Sequence, residues 1–197
     1  MNKKDFETLW TLNYPDTVPI AHLFKHDYSD RWFRIHSLPD SKRYADNEEE
    51  WGTLVSRQNE IITDMLGLDT PILIVTGEYN WGDNKTIHTT GDERVLIPFS
   101  FVQLDNIELN KIDSEQYDEQ DIYRSAFTET IWKPNYHNNL LREIAIGNIN
   151  AFFVAFDRNV IVAPYDGGVD FVLQDVLTKE KYKSKYRQWL SERADGL

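Results

Sequence analysis

The sequence predicts an α+β fold, a single mostly antiparallel or mixed sheet with helices packed on one face. Three observations carry that expectation. β-branched and aromatic runs come in groups joined by short turns, not in strict strand–helix alternation, which counts against a doubly wound parallel sheet. A long amphipathic stretch over 47–66 supplies a helix able to cover a sheet. Apolar residues are 41 % and aromatics 13 % of 197, enough for one packed core, and one domain over 1–197 is expected.

The elements follow in order. Residues 4–12 form a short helix carrying Phe6, Leu9 and Trp10, broken by Asn13-Tyr14-Pro15-Asp16. Residues 19–24 give another helical turn. Residues 31–36 read as a strand whose alternation places Trp32, Arg34 and His36 on one face and Phe33 and Ile35 on the other. In the helix 47–66, Asp46 is the expected N-cap with Glu49 three residues on, Glu48 to Glu50 favour the positive end of the helix dipole, and Gly67 stops it. Pro71 to Gly77 is a β-branched run expected as a buried central strand, followed by a loop at 80–84. Residues 94–104 make a second strand, with Pro98 indicating an edge or bulge. The acidic stretch 106–120 is a surface loop, and 122–132 is a third strand. A helix over 137–146 ends at Gly147. Residues 151–156 and 160–163 form a hairpin around Asp157-Arg158-Asn159, and Pro164 to Gly168 make a further turn into a strand at 169–173. The last helix takes Thr178 as its cap, with Leu177 stapled to Tyr182 and Tyr182, Tyr186, Trp189 and Leu190 on its apolar face.

Composition excludes several functions. Lys and Arg number 21 and Asp and Glu 33, a net charge of −12. Duplex affinity comes from cations neutralising phosphates, and anionic membrane surfaces attract basic segments, so neither nucleic acid nor membrane is an expected partner. The charge serves solubility, or it draws a basic protein partner. Cys is absent, which removes disulfides, thiol nucleophiles and thiolate metal sites. No apolar run reaches the ~20 residues of a membrane span, and no apolar signal core follows the N-terminus; a cytoplasmic location is expected. Walker A, Gly-x-Gly-x-x-Gly and Gly-x-Ser-x-Gly patterns do not occur. His22 and His26 stand four apart, without the Glu of a His-Glu-x-x-His zinc motif. No metal, cofactor or catalytic residue is predicted.

Two stretches are distinctive. Arg34-Ile35-His36-Ser37-Leu38-Pro39-Asp40-Ser41-Lys42-Arg43-Tyr44-Ala45 lies near one end, and Ala163-Pro164-Tyr165-Asp166-Gly167-Gly168-Val169-Asp170 through Trp189-Leu190-Ser191 to Gly196-Leu197 lies near the other. Together they resemble an uncharacterised bacterial family, a domain of unknown function whose members carry a Ser-Leu-Pro-Glu-Ser-Lys-Arg-Tyr segment and a Pro-Tyr-Asp-Gly-Gly-x-Asp turn before a closing Trp-Leu-Ser. The resemblance implies no activity, cofactor or site residue.

Candidate ligand-binding residues are Arg34, His36, Lys42, Arg43 and Tyr44, with Tyr165, Asp166 and Asp170. Bases clustered in an acidic chain suit a carboxylate or phosphate; equally, they can pair with Asp40, Asp46 and Glu48 to Glu50. The Tyr165–Asp170 segment offers a carboxylate pair, or a turn in which Pro, Asp and Gly each serve the backbone, with Asp170 in a strand pairing with one of those arginines. Tyr79, Trp81 and Asp83 follow a buried strand and form either a partner-recognition surface or a cap on the sheet. The leading expectation is a non-catalytic module binding a basic protein, an immunity-type partner being the concrete version. The alternative is a small-ligand sensor or enzyme with an anion pocket around Arg34, His36, Arg43 and Asp170.

Overall fold

The computed structural model describes residues 1–81 and 95–193. Its centre is an antiparallel sheet in the order β1-β8-β7-β6-β2-β5-β3, with β4 also paired to β5. The strands are β1 (Trp32–His36), β2 (Thr70–Asn80), β3 (Val102–Gln103), β4 (Ile107–Glu108), β5 (Ile122–Trp132), β6 (Ala151–Ala155), β7 (Val160–Pro164) and β8 (Gly168–Val172). The α+β class and the antiparallel sheet are as expected. The helices are α1 (Lys3–Asn13), α2 (Phe24–Asp27), α3 (Glu48–Leu66), α4 (Asn138–Ala145) and α5 (Val176–Lys185).

Strand periodicity sorts the core onto two faces. Phe33, Ile35, Ile74, Phe153, Val162 and Phe171 face α3 and α4, meeting Ile61, Ile62, Leu140 and Leu141. Tyr182 and Tyr186 around the end of α5 join the same cluster. One-sided packing therefore holds for α3, α4 and α5. The opposite face is covered too: Val75, Phe152, Val154, Ile161 and Val172 pack against Phe6, Trp10, Phe24 and Tyr28 of the N-terminal segment. Strands β6 and β7 are buried at every position, so each of their faces needs a cover.

Several local expectations shift. Helix α3 is capped by Asn47, whose side chain accepts the Glu50 N–H at 3.0 Å, while the Asp46 N–H donates to the Glu50 carboxylate at 2.7 Å; the reciprocal pattern sits one residue later than Asp46 implies. Strand β2 runs on to Asn80, so Tyr79 is a strand residue, paired with Tyr123 of β5. Of 94–104, only Val102–Gln103 pairs as strand; Arg94 lies outside the described residues, and Phe99 and Phe101 instead pack against the α3–α4 cluster. Helix α5 is capped by Asp175, which accepts the Thr178 N–H at 2.7 Å. Leu177 is 84 % exposed, so it staples nothing. No helix among the described residues is long and apolar enough to cross a membrane.

Candidate functional site

Antiparallel pairing of β1 with β8 sets Arg34 opposite Asp170, and the next strand sets Ala163 beside Asp170. The side chains of the first two meet in a two-pronged ion pair: Nε of Arg34 donates to Oδ1 at 2.6 Å and Nη2 to Oδ2 at 2.9 Å. This fork geometry is the strong form of the interaction. Their side chains are 14 % and 11 % exposed. The guanidinium also lies over the Tyr165 ring at 4.3 Å and the Trp32 ring at 5.4 Å. Burial pulls the Arg34 pKa down, but hydrogen bonding to Asp170 and its charge outweigh that, and the value ends raised.

The turn between β7 and β8 brings in Asp166. Arg43 donates to its Oδ2 from Nε at 2.8 Å, and the Tyr44 hydroxyl donates to the same oxygen at 2.9 Å. Arg43 is 63 % exposed, so this is a surface pair. The Ser37 N–H donates to the Gly167 carbonyl, and the Tyr165 N–H to that of Gly168. Gly168 is required by close approach: a Cβ there would stand 1.9 Å from the Ile35 carbonyl oxygen.

These groups border a cleft of about 320 Å³ at one end of the sheet. Arg34, Tyr165, Asp166 and Asp170 line its β1–β8 side; Tyr79 and Tyr123 line its β2–β5 side, with Ala163 and Phe152 from the strands between. Residues Ile20 to His22 and Asn150 complete it. The Tyr79 hydroxyl and His22 Nδ1 share a hydrogen bond at 3.0 Å. Gly77 makes room for Tyr123, since a Cβ would lie 2.4 Å from that ring, the kind of close approach a strand glycine marks. Burial raises the pKa values of Tyr79, Tyr123 and Tyr165 well above that of an ordinary tyrosine.

Four of the eight expected ligand residues thus line the cleft: Arg34, Tyr165, Asp166 and Asp170. Arg43 and Tyr44 reach it only through Asp166. Lys42 points elsewhere, to Asp46 at 2.8 Å and Glu50 at 2.6 Å near the start of α3. His36 is 8 % exposed, and its Nε2 is buried with no hydrogen-bond partner. Burial first, then the Arg34 charge, hold its pKa below the ordinary histidine value. A cluster of unneutralised cations, as an anion pocket demands, is therefore not formed by Arg34, Lys42 and Arg43: each holds its own carboxylate.

Of the expected partner-binding residues, Tyr79 lines the cleft, and its ring stacks on Trp81 at 5.2 Å, which stacks on Tyr117 at 6.0 Å. These aromatics pack with Ile20 and Leu109 over the sheet end. Asp83 lies outside the described residues. Tyr123, Asn150 and His22 are cleft residues the sequence reading did not assign. Gly77, inside a β-branched run, was the available signal for Tyr123; nothing local marks Asn150.

A family model described as a domain of unknown function (DUF3885) matches residues 20–194. No curated protein and no solved structure matches the chain.

Proposed function

Because the chain belongs to this family, DUF3885, a domain of unknown function, we propose that it is a one-domain cytoplasmic binding module whose cleft between β1–β8 and β2–β5 takes a small, uncharged polar molecule. One observation supports this reading above others: the charged groups of the cleft are paired, whereas three of its neutral groups, beside the bonded Tyr79–His22 pair, are not. Arg34 is held by Asp170, and Asp166 by Arg43. Among the described residues, the hydroxyls of Tyr123 and Tyr165 and the side-chain amide of Asn150 have no hydrogen-bond partner. A charged ligand would have to break a desolvated ion pair, which is costly. A ligand with hydroxyl or amide groups would satisfy the neutral set, and the tyrosine rings would contact its flat or apolar parts.

The test is a thermal-shift titration with neutral monosaccharides, polyols and nucleosides. A saturable rise in Tm with at least one of them is expected. Ala21→Trp, at a half-buried cleft position, should fill the cleft and abolish the rise, measured against the variant's own unliganded Tm. If no compound of this kind shifts Tm, or if the rise survives in Ala21→Trp, the cleft is not the site.

A second reading, docking of a basic protein in an immunity-type role, has its own observation. Much of the 105–121 acidity is spent internally: Asp105 pairs with Lys3, Glu108 with Lys111, and Asp113 and Asp121 accept backbone N–H groups. Glu115, Asp118 and Glu119 remain exposed, with no cation partner among the described residues. Charge-driven docking there would weaken steeply with salt, whereas uptake of a neutral ligand would not.

A further inference from the structure

A second cleft, of about 410 Å³, opens where the loop after β1 meets the segment following α5. The two stretches singled out in the sequence come together here, Leu38 to Ser41 on one side and Gln188 to Arg193 on the other. Helix α3 contributes Arg57. Its guanidinium lies over the Trp189 ring at 5.3 Å, and among the described residues it makes no hydrogen bond or ion pair. That distinguishes it from Arg34, Arg43 and Arg142, each of which holds a carboxylate. His36 also borders this cleft, with its Nε2 buried and unpartnered.

Two carboxylates line the same cleft. Asp40, in a loop residue at φ 55, and Glu192 are both exposed, and neither forms an ion pair among the described residues. Among the described residues, Arg57 thus has no acid partner and Asp40 and Glu192 no base, and these three do not reach one another; Arg193, which also lines the cleft, is not without a partner. We infer that the cleft is a receptor for a small zwitterion of the free amino-acid kind, with its carboxylate on the Arg57 fork and its ammonium between Asp40 and Glu192. Stacking on Trp189 fixes the plane of the guanidinium and leaves its N–H edges for a carboxylate. A phosphate dianion fits poorly, because the two carboxylates repel it. Burial lowers the pKa of His36, so at neutral pH it adds no charge beside the cleft. This site is separate from the Arg34–Asp170 cleft and does not rest on the reading given to that one.

The probes are the common free amino acids, titrated at millimolar concentration into the full chain, with Tm and tryptophan fluorescence as readouts. At least one should bind saturably and perturb the fluorescence, since Trp189 forms the wall. Its amide and its N-acetyl derivative should each bind at least tenfold more weakly. Arg57→Met should weaken binding at least tenfold. So should Asp40→Asn combined with Glu192→Gln, two exposed substitutions that leave the fold alone, and Ala21→Trp should have no effect. Absence of saturable binding by every amino acid, unchanged affinity in either variant, or equal competition by acetate or inorganic phosphate would each overturn the zwitterion assignment.

Discussion

Replacing Asp170 by Asn would remove one half of an ion pair that the fold has taken out of water. The two side chains are 14 % and 11 % exposed, and the contacts are 2.6 and 2.9 Å. Breaking a buried pair from one side costs about 3–5 kcal/mol, because a desolvated charge is left alone. The residual exposure at the mouth of the cleft puts this case at the lower end, about 3 kcal/mol. With a urea m-value of about 2–3 kcal/mol/M, the unfolding midpoint should fall by at least about 1 M, read by tryptophan fluorescence and circular dichroism at neutral pH. Arg34→Met should cost a similar amount. Asp170→Leu should cost at least as much as Asp170→Asn, and the double variant Arg34→Met/Asp170→Leu should recover most of the loss of its two singles, since an apolar pair of similar volume replaces a buried ion pair with little penalty; a coupling of at least about 2 kcal/mol between Arg34→Met and Asp170→Leu is expected. Arg43→Met provides the contrast: it also removes an Arg–Asp pair, but at 63 % exposure, and the midpoint should hardly move. If the double variant loses the sum of the two singles, or if Asp170→Asn behaves like Arg43→Met, the pair is not the desolvated contact described.

Two glycines should respond oppositely to alanine. Gly168→Ala drives a Cβ into the Ile35 carbonyl at 1.9 Å, a backbone atom of the paired strand that cannot turn aside, so destabilisation at or above the top of the about 1–3 kcal/mol range for overpacking is expected. Gly52→Ala, inside α3 with nothing within 4 Å of the new Cβ, should instead stabilise by about 0.5–1 kcal/mol; equal effects in urea titrations would contradict both placements. The histidines predict a pH dependence. His137 is 3 % exposed, and burial lowers its pKa, as burial does for His36. The unfolded chain, with histidine pKa near 6.5, then binds protons more readily than the native protein. Stability should be full above about pH 6.5 and fall as the pH drops from there toward the lowered native values. His137→Phe should flatten that decline, and a variant whose midpoint falls as steeply as wild type between pH 7.5 and 5 would remove His137 as its source.

The helices α3 and α4, the 122–132 strand and the 151–163 hairpin were legible in the sequence, because period, turn chemistry and glycine stops are local properties; β4 was not, since it lies within the acidic 106–120 stretch expected as a surface loop. The face assignment of Trp32 and Arg34 against Phe33 and Ile35 was legible for the same reason. Cap positions moved by one residue or more, since several neighbouring Asp, Asn and Thr side chains could each accept the same N–H groups. The 94–104 stretch misled: Leu96, Phe99 and Phe101 pack on the α3–α4 face while Val102 and Leu104 pack on the opposite one, and a pattern alone does not say what a hydrophobic residue will pack against.

Partnership was the larger gap. Arg34, Lys42 and Arg43 are close in sequence and read either as one basic cluster or as bases paired with acids, and the pattern did not choose between the two. Their neutralising acids lie at Asp170, at Asp46 and Glu50, and at Asp166, two of them more than a hundred residues away. Arg57, by contrast, drew no notice inside an amphipathic helix. Whether a charge is spent or available depends on which strand pairs with which and how deep the pair sits, because Coulomb energy is set by distance and desolvation, not by chain separation. Composition and periodicity therefore determined that this chain makes an antiparallel α+β core. Only the folded arrangement decided which of its charges are left to meet something else.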